Sequence, residues 1–237
     1  AQTLLFPGRY APSDTLSFYR GMLLYRRHAF GQSAGFFGAI ASGSPYYEEG
    51  FFRGLESMLI GGDTDGCRAS LDSYAGRWTS LKALEDAALR LYEGDVAACR
   101  KSLAEVHPQH FSIDEAAGRL SELAASRQQF KARSPLVGAV ASALVPGLGK
   151  VYAGRVGEGV ASLLTVGALG AITAENWIKR GPTNWKTILF GSLGALVYVS
   201  GIYGSWVSVG LYNEAYSNNY ETAVVATLHL PLSVLFD

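Results

Sequence analysis

The chain has 237 residues, of which 49% are apolar and 12% aromatic, and it carries 20 basic and 20 acidic side chains. Because the charges balance, no excess of positive charge is present to hold a phosphate backbone, which disfavours nucleic acid as the main partner. The apolar content argues against a disordered chain. The two cysteines are too few for a disulfide-stapled scaffold and lack the paired spacing of a zinc site.

The charged residues are unevenly distributed along the chain. Residues 1–133 hold 30 of the 40 charged side chains and residues 134–237 hold only 10. This difference predicts two regions in different solvents. The repeat and the apolar stretches described below predict an all-α fold for both. We expect an N-terminal extended segment over 1–13, a helical-repeat domain over 14–131 and an apolar, membrane-associated helical domain over 132–237.

An internal repeat organises the first region. The ten residues from Gly62 to Leu71 recur from Gly94 to Leu103, an offset of 32, and Tyr19–Met22 matches Phe52–Leu55 at an offset of 33. A repeat of this length is typical of stacked helical hairpins. The sequence therefore predicts about three helix pairs, with a plain helical bundle containing one duplicated hairpin as the alternative.

Local patterns predict where some of these helices begin. Gly94 and Asp95 separate two amphipathic stripes and are predicted to end one helix and cap the next. The equivalent segment, residues 63–66, lacks the ligands of a calcium loop and is better explained as a helix-capping turn. Ser112 and Glu115 have the spacing of a capping box for a helix that continues toward Phe130.

The first region resembles the tetratricopeptide repeat family over roughly residues 14–110. With Pro45 as the closing proline of a 34-residue unit, Gly21, Ser33 and Phe37 occupy the family's small, small and aromatic positions. The resemblance implies a curved scaffold that presents the first helix of each pair on a concave, protein-binding face. The residues predicted to bind a partner there are Tyr19, Arg20, Tyr25, Phe52 and Arg53.

Four of these five residues carry a further expectation. Phe52 and Tyr19 are equally well explained as fillers of the core between hairpins. Because a buried, unpaired guanidinium is costly, Arg20 and Arg53 are expected to face solvent or to pair with carboxylates such as Glu49 and Glu56.

The second region contains four uncharged apolar stretches, at 134–149, 159–174, 187–212 and 222–236. Only the third reaches the roughly 20 residues that a helix needs to cross a bilayer. The other three are expected to cross with help from flanking residues, to re-enter the membrane, or to be buried in protein. The alternative for the whole region is the apolar helical core of a soluble protein.

A glycine-rich motif lies between the first two stretches, and its membrane-turn residues are Pro146, Gly147, Gly149, Tyr152 and Gly154. It resembles the P-G-x-G-x-x-Y-x-G motif of small bacterial envelope proteins related to the two-transmembrane-helix domain family. The resemblance covers roughly residues 134–212. It implies a turn between two short apolar helices in a membrane, and no catalytic activity.

Motifs with catalytic or metal-binding chemistry are incomplete. A phosphate loop at residues 147–150 needs Gly in place of Leu144 and Ser or Thr in place of Val151. His107 and His110 have Pro108 between them, which breaks the helix that would align them on a metal. The sequence therefore predicts no enzyme activity, no cofactor and no metal.

The expected setting is a bacterial cell envelope. The first residues, Ala-Gln-Thr, are typical of a chain from which a signal peptide has been removed, which favours export and a periplasmic repeat domain. Cationic residues such as Lys131, Lys179 and Lys186 argue the other way if all four stretches cross an inner membrane.

The expected function is that of a non-enzymatic scaffold or accessory subunit of an envelope membrane complex. Its repeats would bind a protein partner, itself an integral membrane protein, while the apolar helices anchor it in the lipid bilayer. The alternative is a small transporter or channel component in which Glu158, Glu175 and His229 line a path, because ionisable groups at membrane depth are functional candidates.

Overall fold

The structure is a computed structural model that describes residues 13–107 and 110–236. These residues form twelve α-helices and contain no strand, which confirms the all-α prediction. Of the predicted N-terminal extended segment, residues 1–12 lie outside the described residues, and Ser13 already begins the first helix.

The chain divides into two compact units. Among the described residues, the first unit comprises those up to 130 together with those from 220 onward, and the second comprises residues 131–219. The boundary at 130 lies next to the predicted one. Residues 220–237, which were predicted to belong to the membrane domain, are instead part of the first unit.

Seven helices precede the boundary at 130, and each packs against the next along the chain. They are α1 Ser13–Arg26, α2 Phe30–Gly38, α3 Tyr47–Ile60, α4 Thr64–Ser73, α5 Thr79–Tyr92, α6 Val96–Leu103 and α7 Phe111–Gln129. Their core includes Phe37, Phe52, Leu84, Leu91 and Leu120, all of them buried. The apolar stripes predicted from the sequence thus face the interior of the first unit.

The duplicated segments fold in the same way. The Asp63 carboxylate accepts a hydrogen bond from the Gly66 amide at 2.9 Å, and Asp95 accepts one from Ala98 at 2.9 Å. The glycine before each aspartate has a positive φ, 85° in the case of Gly94. Both predicted caps are therefore confirmed, and the calcium-like segment is a helix-capping turn.

The capping box predicted for the seventh helix is wrong. Helix α7 begins at Phe111, and His110 stands at its N-cap position without a side-chain cap bond. Glu115 instead pairs with Arg119 one turn later, at 2.6 Å. The helix starts one residue before the serine that was expected to cap it, so the spacing to Glu115 no longer fits the motif.

The three residues that carry the tetratricopeptide resemblance contact one another. Ser33 Oγ donates a hydrogen bond to the Gly21 carbonyl at 2.9 Å. A Cβ on Gly21 would lie 2.7 Å from the ring of Phe37, so only glycine allows this ring its place. These contacts join α1 to α2, while membership of the family stays a prediction.

The remaining helices are α8 Pro135–Leu144, α9 Leu148–Tyr152, α10 Val156–Arg180, α11 Trp185–Thr227 and α12 Leu232–Phe236. Within the described residues, two helices are long and apolar enough to cross a membrane: α10, with 25 residues, and α11, with 43. The most apolar 18-residue window of each has a mean hydropathy of 1.5, and only 6% of that window is buried.

The four apolar stretches have different outcomes. The second was expected to be too short to cross unaided, but it lies inside α10, whose flanking charges pair within the helix: Arg155 with Glu158, and Lys179 with Glu175. The first forms α8, whose 10 residues extend about 15 Å, half the thickness of a hydrocarbon core. The fourth belongs to the first unit, where Val224 and Leu228 are buried.

Candidate functional site

The C-terminal end of the chain packs against the helices of the first unit. After α11 ends at Thr227, residues 228–236 continue through Pro231 into the short helix α12, which contacts α3. We call residues 228–236 the tail segment. We call the side chains that receive its polar and aromatic groups the tail-binding surface: Tyr25, Phe52, Glu56 and Trp78.

At one end of the tail segment, His229 meets a buried carboxylate. Its Nδ1 lies 3.1 Å from Oε1 of Glu56, and its Nε2 lies 3.1 Å from the hydroxyl of Tyr25. The Tyr25 hydroxyl itself donates a hydrogen bond to Oε1 of Glu56 at 2.7 Å. Two polar groups, one from α1 and one from the tail, therefore converge on one carboxylate oxygen of α3.

At the other end, Phe236 enters an aromatic cluster. Its ring stacks on Phe52 with a centroid distance of 6.0 Å and meets Trp78 edge-on at 5.0 Å. Between the two ends, Leu228 and Leu232 are buried. The tail segment is thus held by a polar contact, a buried apolar stretch and an aromatic contact.

Burial sets the electrostatics of Glu56, whose side chain is only 2% exposed. Desolvation raises the pKa of this carboxyl, and the hydrogen bond from Tyr25 and the charges of His229 and Arg53 oppose the rise. The pKa of Tyr25 is raised by burial and by its bond to Glu56. Arg53 lies between two carboxylates: its Nη1 is 3.9 Å from Oε2 of Glu56, and its Nε is 3.3 Å from Oε1 of Glu49.

A second buried carboxyl lies on α5, the first helix of the next predicted helix pair. Glu85 of α5 is buried, and its pKa is raised well above the usual range by desolvation and by the negative charge of Glu56. Burial likewise raises the pKa of the Cys67 thiol, and it raises that of Cys99 to about 11. Both thiols are therefore protonated at neutral pH and poor nucleophiles.

The structure brings together some of the predicted partner-binding residues. Tyr25 and Arg53 share Glu56, and Arg53 pairs with the two carboxylates named from the sequence, which confirms that expectation. Phe52 is 0% exposed and is a core residue, which is the alternative role given for it above; its ring contacts those of Phe51, Tyr74 and the tail's Phe236.

The other two predicted contact residues lie on α1 and face different neighbours. Tyr19 is 38% exposed and meets the ring of Tyr46 edge-on at 6.2 Å. Arg20 is exposed, as expected, and its guanidinium lies 5.9 Å from the centre of the Phe36 ring.

Sequence reasoning missed Glu56, Trp78 and the tail segment as parts of one site. The sequence did contain one indication of the site. Glu56 and Glu85 interrupt the apolar stripes of α3 and α5, where burying a carboxylate is costly unless it has a partner. No local pattern identifies residues 228–236 as that partner, because an apolar run suits lipid and a protein core equally.

In the second unit, the glycine motif packs backbone against backbone. After Pro146, Gly147 has a φ of 85°, and a Cβ there would lie 2.1 Å from the Gly159 carbonyl oxygen. A Cβ on Gly149 would lie 2.0 Å from the Gly138 carbonyl oxygen. Gly154 has a φ of 85° at the turn before α10. The glycines therefore let α8, α9 and α10 approach one another more closely than any side chain allows.

Hydrogen bonds from polar side chains also stabilise the glycine motif. The hydroxyls of Ser142 and Ser205 lie 2.6 Å apart, and Ser142 accepts a hydrogen bond from the Gly149 amide at 2.8 Å. Arg133 donates to the Tyr152 carbonyl at 2.6 Å, and its guanidinium lies 5.7 Å from the centre of the Tyr152 ring. The half-exposed Tyr152 thus interacts with a cation at the edge of the unit.

The residues predicted to line a transport path lie apart from one another along the chain and have other partners. Glu158 pairs with Arg155 at 2.5 Å, and Glu175 pairs with Lys179 at 2.7 Å. His229 belongs to the tail segment of the first unit. These placements lend no support to the transporter alternative, which stays a prediction.

Comparison of the chain with protein-family models, with curated proteins and with solved structures finds no match. Both family resemblances therefore stay predictions, and the functional argument rests on the contacts described above.

Proposed function

We propose that this protein is a membrane-anchored, non-enzymatic scaffold or accessory subunit of a bacterial cell-envelope complex. The observation that carries the proposal is that the first unit holds a peptide segment, its own tail, on the side chains of its first helices. A surface that binds one apolar segment through a carboxylate and an aromatic cluster has the chemistry to bind a segment of a partner protein.

The second unit supplies the anchor. Helices α10 and α11 leave nearly all of their most apolar stretches unburied, unlike the core helices of a soluble protein. Residues 1–130 and 220–237 form one unit, and two membrane crossings return the chain to the side on which it began. We therefore infer that two crossings would leave the repeats on one face of the membrane, for which we favour the periplasmic face, and the 181–184 turn on the other.

Cysteine accessibility tests the anchor. Ser121 and Thr183 are exposed, whereas the native Cys67 and Cys99 are buried and give a low background, so the unaltered chain is the control. In sealed membrane vesicles, a membrane-impermeant maleimide should label Ser121→Cys and Thr183→Cys from opposite sides. Labelling of both from the same side contradicts the two-crossing arrangement.

A matched pair of charge reversals tests the scaffold. Arg20 lies exposed on a first helix and Lys101 lies exposed on a second helix. In cells, a photo-crosslinker at Tyr19 should form one adduct with a membrane protein. Arg20→Glu should lower its yield at least tenfold and Lys101→Glu should not, while both variants keep the parent melting temperature. Absence of any adduct, or equal yields in the two variants, overturns the proposal.

A further inference from the structure

The tail segment does not provide hydrogen-bond partners for all the buried polar atoms of the tail-binding surface. Within the described residues, two buried polar atoms of this surface have no hydrogen-bond partner: Oε2 of Glu56 and Nε1 of Trp78. Proteins leave very few buried polar groups in that state, because each has lost its bond to water without gaining another. A ligand that supplies a donor to the first atom and an acceptor to the second would make two hydrogen bonds that the tail does not make.

The geometry around Glu56 indicates which kind of hydrogen-bond donor its Oε2 lacks. The imidazole of His229 presents one nitrogen to Oε1 of Glu56, and the Arg53 guanidinium remains 3.9 Å from Oε2. A guanidinium from a ligand presents two parallel N–H groups, which match both oxygens of a carboxylate. Helix α3 carries three carboxyl groups and one arginine, so its charge also favours a cationic ligand.

The aromatic end of the surface is specific as well. Phe236 occupies the space between Phe52 and Trp78, and it lies seven positions after His229. An aromatic ring at that spacing can fill the same space, and a peptide carbonyl or a terminal carboxylate beside it is the acceptor that the Trp78 indole N–H lacks.

We propose that the tail segment is a displaceable occupant, and that the surface recognises a segment of a partner protein carrying an arginine followed seven residues later by an aromatic residue. This inference rests on the proposed function, since it names the partner's chemistry. The attached tail competes at an effective concentration of about millimolar, so it blocks weak ligands and yields to better ones.

Synthetic peptides test this inference on the full chain in detergent. The probes are three fluorescein-labelled peptides: residues 228–236 as they stand, the His229→Arg version and the Phe236→Ala version, read by fluorescence anisotropy against empty micelles. The protein variant Phe236→Ala removes the aromatic contact of the attached tail and is designed to release it. We expect this variant to bind the arginine peptide at least tenfold more tightly than the unaltered chain does, and at least tenfold more tightly than it binds the native peptide. The alanine peptide should not bind.

A second substitution assigns the preference to the carboxylate. Glu56→Gln, added to Phe236→Ala, should remove the preference for arginine while the helix content stays that of Phe236→Ala alone. Equal binding of the arginine and native peptides overturns the assignment and points to the tail of a second copy as the ligand. Equal binding by released and unaltered chains shows that the tail does not compete. Neither result alters the crosslinking outcome at Tyr19, so failure of this inference is distinguishable from failure of the proposed function.

Discussion

The backbones of Gly149 and Gly138 touch: a Cβ on Gly149 would lie 2.0 Å from the carbonyl oxygen of Gly138 and 2.7 Å from its carbonyl carbon. No atoms of these types approach so closely without a bond between them. Helices α8 and α9 are therefore held at a distance that only glycine permits, and the amide of Gly149 is free to donate to Ser142. Because the contact is backbone to backbone, no rotation of a side chain can relieve a substitution there.

Gly149→Ala should consequently destabilise the second unit by about 3 kcal/mol, the upper range for overpacking, because the two helices must separate. Gly157→Ala is the matched control, since nothing lies within 4 Å of a Cβ at that helical position. The control should gain up to about 1 kcal/mol from the higher helix propensity of alanine. Thermal unfolding of the full chain in detergent, followed by circular dichroism, measures both. Equal melting of Gly149→Ala and the unaltered chain contradicts the proposed contact.

The two turn glycines of the motif differ in what a side chain meets. At Gly154, with φ 85°, the one atom of the described residues within 4 Å of a Cβ is an Arg133 guanidinium nitrogen at 3.6 Å, so Gly154→Ala should cost only the strain of the left-handed conformation, about 1–2 kcal/mol. Gly147→Ala adds a contact of 2.1 Å with the Gly159 carbonyl oxygen and should cost more. Unfolding midpoints that rank the two variants in the opposite order rule out this explanation.

The duplicated caps allow a test of additivity in the first unit. Asp63→Ala and Asp95→Ala each remove one side-chain bond to a helix amide and should each cost about 1 kcal/mol. The caps belong to different hairpins, so the double variant should lose the sum. Asn retains an acceptor oxygen, and Asp63→Asn and Asp95→Asn should melt close to the unaltered chain. A loss with asparagine as large as with alanine would assign the effect to charge.

The features predictable from the sequence are those in which the interacting residues are neighbours along the chain. The aspartate caps were predicted because Gly94 and Asp95 are adjacent. The length of α10 was underestimated because Glu175 was treated as the end of an apolar stretch, whereas its pairing with Lys179 lets the helix continue. Charged residues end an apolar run but need not end a helix.

The tail-binding surface was not predictable because its members are distant in sequence. The apolar character of residues 222–236 favoured a membrane segment, and composition does not distinguish lipid from a protein core. Of the residues predicted to bind a partner, Tyr25 and Arg53 lie beside Glu56, which had been assigned only as a partner for Arg53. That a partner protein binds there stays a prediction.

The buried Glu85 makes the stability of the first unit depend on pH. Its pKa in the folded chain is raised well above that of an unfolded glutamate by desolvation and by the charge of Glu56, so the folded state binds the proton more tightly. The stabilisation is fully present below the unfolded pKa and is lost as the pH rises through the folded pKa. Glu85→Gln keeps the shape and removes the ionisation. We expect it to melt higher than the unaltered chain at pH 8, with a difference that shrinks toward pH 4.

Melting curves of the full chain between pH 4 and pH 8 measure this dependence. Glu56, whose pKa is also raised, contributes in the same direction, so Glu85→Gln should flatten the curve without abolishing its slope. Glu115→Gln, at an exposed carboxylate paired with Arg119, is the control and should leave the slope unchanged. If Glu85→Gln melts lower than the unaltered chain at pH 8, the ionised carboxylate is held by a compensating cation, and the raised pKa assigned to its burial is wrong.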